Sequence, residues 1–259
     1  MPLKALLFDF RVLAPLEINY AKATQALKTE LADVLPSGAR PWSIFDQISL
    51  LLDEKKKKKI SAKRFNEISE KISKNMEELE LEQVAIFPLY AGVKNGLASV
   101  KTMKLSVIST TEIGVAPAEK FLREKEIESF FSDTAPRREL AEAVDMGLRL
   151  RPLFEKLEVK PEESLYFCNR LRDLKAAQSL GVRIIVMPGG SESIDALLRE
   201  KPEGMIISLE ELPTMLSLKS FKGPEAKAKE KQMGKNEREE EEEEDEDSPS
   251  EKSVEQEKP

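Results

Sequence analysis

The stretch Ala5-Leu6-Leu7-Phe8-Asp9-Phe10-Arg11-Val12-Leu13 decides the fold. Four apolar residues run straight into a single acid. An apolar run of that length, without polar alternation, fits a strand buried on both faces, with Asp9 at its C-terminal end. Four more runs share this character. Residues 105–108 end at Ser109, residues 165–168 end at Asn169, and residues 183–187 are stopped by Pro188-Gly189-Gly190. Residues 205–207 form a short fifth run. Helical spacing separates them: Val93, Leu97 and Val100 in one segment, and Phe121, Leu122, Ile127 and Phe130 across residues 118–131. A short helix over 174–180 is closed by Gly181. Strands alternating with helices predict a parallel sheet covered on both faces, with its site at the strand C-terminal ends.

Residues 15–85 break this rhythm. They contain no strand-like run and read as successive helices over 18–35, 42–52 and 61–81. Pro36-Ser37-Gly38 bounds the first, and Ser61 is the expected N-cap of the third. Five lysines at 55–59, followed by Lys63 and Arg64, lie between two of these helices. A nucleic-acid patch would need interleaved aromatic residues for base stacking, and none is there, so a solvated loop is the expectation.

Composition narrows the chemistry. The 259 residues carry 41 Lys+Arg and 48 Asp+Glu, a net charge of −7, with one cysteine and no histidine. No Ser-His-Asp triad, Cys-His pair or His-ligated metal is available. One cysteine, Cys168, forms no internal disulfide, and a small buried residue is its expected role. No run approaches the roughly 18 apolar residues of a membrane span. The apolar run ending at Phe8 is too short for a signal-peptide core, so a cytoplasmic protein is expected.

The charge imbalance is local. Residues 219–259 hold 9 Lys+Arg and 15 Asp+Glu, leaving 32 and 33 in residues 1–218. Nine consecutive acids occupy 239–247. With few large apolar residues, this tail is expected to be disordered, serving as a solubilising segment or as a contact for a basic protein partner. The expected domains are an α/β core at 1–14 and 86–218, a helical cap at 15–85, and the acidic tail at 219–259.

Together, the order and spacing of these segments resemble the haloacid dehalogenase superfamily, in its phosphoglycolate-phosphatase-like branch. Leu7-Phe8-Asp9-Phe10 resembles the first family motif, D-x-D-G-T. Val107-Ile108-Ser109-Thr110 resembles the second. Residues 167–182, from Phe167-Cys168-Asn169 through Asp173 to Ala176-Ala177 and Gly181, resemble the fourth, G-D-S-x-x-D with its A-A-x-x-x-G. Phe87-Pro88-Leu89-Tyr90-Ala91-Gly92-Val93 fits the segment leading to the helix before the second motif. The resemblance covers roughly residues 3–210. It implies a Rossmann-like three-layer core with an inserted helical cap. It also implies phosphoryl transfer to a carboxylate nucleophile at Asp9, and Mg²⁺ held by hard oxygen ligands.

The motifs also depart from that pattern. The acid/base position holds Arg11, which has no acceptor and stays protonated. On a strand end it would point to the side of Asp9 and pair with that carboxylate. Val12 and Leu13 replace the motif Gly and Thr. The third-motif Lys position falls near Val144, with Arg149 and Arg151 in the following turns. Asn169 replaces the first acid of the fourth motif. The resemblance thus implies Asp9 at the nucleophile position, Ser109, Thr110, Arg11 and Arg149 for a phosphorylated ligand, and Asp9, Asn169 and Asp173 around a weak or absent Mg²⁺.

Each of these residues also has a structural role open to it. Asp9 could partner Arg11, Asp173 could be an N-terminal helix charge, and Ser109 and Thr110 could be helix caps. The expected function is a binding or regulatory module with eroded catalysis. The alternative is a Mg²⁺-dependent phosphomonoesterase acting through an aspartyl-phosphate on Asp9. Metal-free dehalogenation is a third option, whose third-motif Lys this chain lacks.

Overall fold

The computed structural model describes residues 2–32 and 43–217. The ends of the first two expected cap helices, at 33–35 and at Trp42, the Pro36-Ser37-Gly38 boundary and the tail at 219–259 lie outside the described residues.

The chain begins with β1 (Ala5–Asp9) and the short α1 (Phe10–Leu13). Three longer helices follow: α2 (Ala21–Glu30), α3 (Ile44–Lys56) and α4 (Ala62–Gln83). Then come α5 (Val93–Lys101), β2 (Ser106–Gly114), α6 (Val115–Glu124) and β3 (Asp133–Arg137). The second half is α7 (Met146–Leu157), β4 (Ser164–Cys168), α8 (Leu171–Ser179), β5 (Arg183–Val186), α9 (Ile194–Arg199), β6 (Gly204–Met205) and α10 (Leu212–Ser217).

The six strands are parallel, in the order β3-β2-β1-β4-β5-β6. Successive strands move outward from β1 in one direction, then restart at β4 on its other side. The crevice at the C-terminal ends of β1 and β4 is therefore the topological switch point, where open α/β sheets bind ligands. Asp9 stands in it, in register with Thr110.

The continuous apolar runs are explained by burial on both faces. Leu6, Phe8, Val107 and Phe167 pack into one cluster with Leu97, Phe121 and Leu212 from α5, α6 and α10. Leu7, Ile108, Tyr166 and Ile184 face the other way, onto Leu150, Leu174 and Leu197 from α7, α8 and α9. The Phe8 and Phe167 rings stack 4.6 Å apart across β1 and β4. A third cluster joins the helices between β1 and β2: Leu27, Ile48, Leu51, Phe65, Ile72 and Met76, with Leu140 and Ala143 from the loop after β3. On α4 the buried residues Phe65, Ile68, Ile72, Met76 and Glu80 recur every three or four positions, so one face is turned inward. Ser61 caps α4 through the Arg64 amide, as its sequence position suggests.

Two elements differ from the sequence expectation. β2 runs on to Gly114 instead of stopping at Ser109: Thr110, Thr111 and Ile113 are β-formers, and beyond a register shift after Thr110 the strand pairs with β3 again at Gly114 and Arg137. Ser109 and Thr110 are therefore strand residues, not helix caps. β3 has no counterpart among the expected strands. Its Asp133-Thr134-Ala135-Pro136-Arg137 sequence contains a proline, tolerated because β3 is an edge strand.

Candidate functional site

Asp9 ends β1 and caps α1. Its Oδ1 accepts the Arg11 amide at 2.8 Å, and its Oδ2 accepts the Tyr166 hydroxyl at 3.1 Å. The carboxylate is buried. Burial raises its pKa, the Asp173 charge adds to the rise, and Arg11 and Arg170 oppose it. Burial also pushes the Tyr166 phenol well up, with Asp9 contributing, so the phenol remains a donor.

The turn of α1 decides where Arg11 goes. Because helix starts at Phe10, only the Arg11 backbone meets Asp9, and the expected side-chain pairing between them is absent. The guanidinium instead reaches β2, where its Nη2 pairs with Glu112 Oε1. Glu112 collects two more arginines, Arg170 at the N-cap of α8 and Arg172 in its first turn. Arg170 grips it with both terminal nitrogens, Nη2 to Oε2 at 2.9 Å and Nη1 to Oε1 at 3.2 Å. Arg172 pairs with Oε2 from above. Both oxygens of a carboxylate only 1 % exposed are thus saturated by three guanidiniums. Burial alone would raise the Glu112 pKa, but Arg11, Arg170 and Arg172 outweigh it and hold the group well below the usual carboxylate range.

The other positions are committed as well. Asp173 Oδ2 accepts Arg170 Nε at 2.6 Å. It is the third residue of α8, where the helix dipole favours an acid. Asn169 Nδ2 donates to the Arg11 carbonyl at 2.9 Å. Ser109 is buried, and its hydroxyl donates to Thr134 on β3 at 3.0 Å. Thr110, beside Asp9, is buried with no hydrogen-bond partner for its hydroxyl. Arg149, on α7, donates to the Glu142 carbonyl at 3.0 Å and slightly counters the rise of the Tyr166 pKa. Cys168 is buried, and burial pushes its thiol well up. The structure therefore brings Asp9, Arg11, Asn169 and Asp173 into one connected cluster, and turns Ser109 into the sheet.

These residues make a poor site for Mg²⁺. That ion needs several oxygen ligands with net negative charge. Here both Asp9 oxygens accept protein donors, Asp173 is bound to Arg170, and the Asn169 amide nitrogen points to a backbone carbonyl. Asp9, Glu112 and Asp173 are matched in number by Arg11, Arg170 and Arg172. Among the described residues, no group of three or more His, Cys, Asp or Glu side chains is placed to hold a metal. The donor set does not fit the ion, because guanidinium groups stand where cation ligation would require free carboxylate oxygens. Beside the cluster, a cavity of about 40 Å³ is lined by Arg11, Asn169, Arg170 and Gly190. It has room for a few waters. Arg11 Nη1 is buried there without a partner.

A second ionic cluster fastens the helices to the sheet. Glu80, on the inner face of α4, is fully buried. Its Oε1 accepts Arg137 at 2.8 Å and the Tyr20 hydroxyl at 2.7 Å, and its Oε2 accepts the Gly114 amide at 2.7 Å. Arg137 also donates to the Glu112 carbonyl at 3.0 Å, joining the two clusters. Burial raises the Glu80 pKa, and Arg137 opposes the rise. The Arg172 guanidinium lies 4.8 Å from the Phe45 ring of α3, a cation–π contact between α8 and α3.

Glu112, Tyr166 and the Glu80–Arg137 pair were not legible as site residues. One signal was present for Glu112: three arginines in apposed motifs need a buried counter-charge, and it is the one acid in residues 105–118.

A six-stranded parallel sheet with a carboxylate at its switch point and a helical insertion after the first strand defines an open, Rossmann-like α/β core. The family described as haloacid dehalogenase-like hydrolase matches residues 43–187, more than half of the chain, and the chain belongs to it. Three solved structures share the fold. One is described as a predicted phosphoglycolate phosphatase from Haemophilus somnus, at 18% identity and TM-score 0.56, covering 83% of this chain and 98% of that one. The second is a haloacid dehalogenase-like family hydrolase from Streptococcus pneumoniae, at 14% identity and TM-score 0.55, covering 83% and 99%. The third is described as a predicted phosphatase from Clostridium acetobutylicum, at 16% identity and TM-score 0.55, covering 84% and 100%. At these identities the likeness concerns the fold alone. No curated protein matches the chain. Among the described residues no helix is long and apolar enough to cross a membrane.

Proposed function

We propose that this haloacid dehalogenase-like protein is not a phosphotransfer catalyst and uses its fold as a binding or regulatory module. The observation that carries the reading is the closure of Arg11, Arg170 and Arg172 on Glu112. Proton transfer to a leaving group contributes roughly 10²–10⁴-fold in such reactions, and Arg11 has no acceptor with which to provide it. The Asp9 carboxylate, its pKa raised by burial and both its oxygens occupied by donors, is a poor nucleophile for phosphorus. On this reading, residues 15–85 are a cap held over the core by Glu80 and Arg137, and the surface they present is the functional one.

The test is a screen of p-nitrophenyl phosphate and small phosphomonoesters with Mg²⁺, using the full chain. Turnover no higher than that of an Asp9→Asn control is expected. Metal-dependent turnover that Asp9→Asn abolishes would reject the proposal and favour the phosphomonoesterase alternative.

A further inference from the structure

The lysines at 55–59 take no part in the site, and the acids at 239–247 lie outside the described residues. The lysines span the C-terminal end of α3, with Lys55 and Lys56 in its last turn, and Lys58, at φ 59°, turns the chain toward Ile60 and α4. All five side chains are exposed. Residues 53–64 hold seven basic and two acidic residues, and five consecutive lysines form the longest run of one charge sign in residues 2–217.

The positive charge is only partly answered within the fold. Lys57 and Lys59 share the buried Glu54 carboxylate, at 3.0 and 2.9 Å. Lys55 lies 3.7 Å over the Phe65 ring. Lys56 reaches Asp53 at 3.8 Å and Lys63 reaches Glu67 at 4.0 Å, both at the outer limit of an exposed pair. Among the described residues Lys58 forms no ion pair. Lys56, Lys58 and Lys63 thus present nearly unopposed charge at and beside the α3–α4 loop.

We propose that this lysine loop is the docking surface for the acidic segment 239–247 of the same chain. Charge complementarity argues for that occupant: nine consecutive acids against a patch with an excess of five basic residues. Reach argues for it too. Ser217 ends α10, and 22 peptide bonds separate it from Glu239. A chain of that length spans at most about 75 Å. A body of this size has a radius of gyration of about 17 Å, so every point of its surface is within range. Individual exposed ion pairs are weak, but tethering raises the local concentration of the acids to the millimolar range. Contact within one chain is therefore favoured over capture of a separate partner.

Zero-length carbodiimide crosslinking of the full chain, followed by peptide mapping, tests this. Crosslinks from 239–247 to 55–59 and Lys63 are expected within a monomer. Their yield should fall about tenfold or more near 1 M salt, where the screening length is roughly 3 Å. The variant K56Q/K58N/K63Q leaves the Glu54 pairs intact, and Asn suits the positive φ at position 58. It should lower the yield similarly, as should replacing the nine acids with Ser and Gln. Crosslinks that go chiefly to the tail's own lysines at 219–235, that join two chains, or that persist in K56Q/K58N/K63Q would overturn the proposal. So would an absence of crosslinks together with oligonucleotide binding by the loop.

Discussion

Glu112→Gln isolates the contribution of the arginine cluster. The carboxylate takes four N–H donors from three guanidiniums while almost wholly buried. A glutamine keeps the shape but removes the charge, and turns two of its own N–H donors toward guanidinium donors. Arg11, Arg170 and Arg172 would then face only Asp9 and Asp173. Removing one partner of a buried ionic group costs about 3–5 kcal/mol, mostly because the remaining charges lose their counter-charge. For a folded body of this length that corresponds to a loss of about 6–20 °C in Tm. Thermal and urea unfolding of the full chain read both quantities.

The pH dependence has a definite sign. The folded pKa of Glu112 is depressed, so its stabilisation is fully present above the unfolded carboxylate value, about 4.3. It is lost as pH falls toward the folded value. Wild-type minus variant stability should therefore shrink on acidification below about pH 4. Asp9 works in the opposite direction: its raised folded pKa favours the native state at low pH, and that contribution is lost as pH rises through the folded value. Asp9→Asn should accordingly change stability by less than about 1 kcal/mol, since asparagine can also cap α1. A Glu112→Gln variant within about 1 kcal/mol of wild type would refute the reasoning.

Three further outcomes are expected. Glu80→Gln leaves the buried Arg137 without a counter-charge, so it should cost about 3 kcal/mol or more and speed hydrogen exchange of the Gly114 amide and of α4; unchanged exchange there would count against the tether. Tyr166→Phe removes one of the two donors to Asp9, with an expected loss of about 1.5–3 kcal/mol and a further rise of the Asp9 pKa, readable by carboxyl NMR. Arg11→Asp replaces one guanidinium by a carboxylate beside Asp9, so Mg²⁺ should raise the Tm of this variant and leave that of the wild type unchanged; equal shifts in both would contradict the assignment of Arg11.

The sheet was legible because strands buried on both faces leave continuous apolar runs, as at residues 5–8 and 165–168. The helices of 15–85 were legible for the converse reason, a 3.6-residue apolar period with Ser61 as a cap. β3 was not, because an edge strand tolerates Pro136 and buries only part of its length. Within the site, residue identities at motif positions were readable, but partner choice was not. Arg11 was expected to meet Asp9 because its neighbours read as strand. A helical turn starting at Phe10 redirects it to Glu112, a residue 101 positions away. Of the acids at the end of α4, Glu80 alone lies on the buried face, a distinction set by packing against Arg137.

The account rests on guanidinium groups occupying the place of the family's metal and acid/base machinery. A crystal structure of the full chain grown with Mg²⁺ and beryllium fluoride tests that most directly. The account predicts Arg11, Arg170 and Arg172 closed on Glu112, with Asp9 free of any adduct. An octahedral ion between Asp9 and Asp173, with Arg11 displaced and a fluoroberyllate on Asp9, would contradict it.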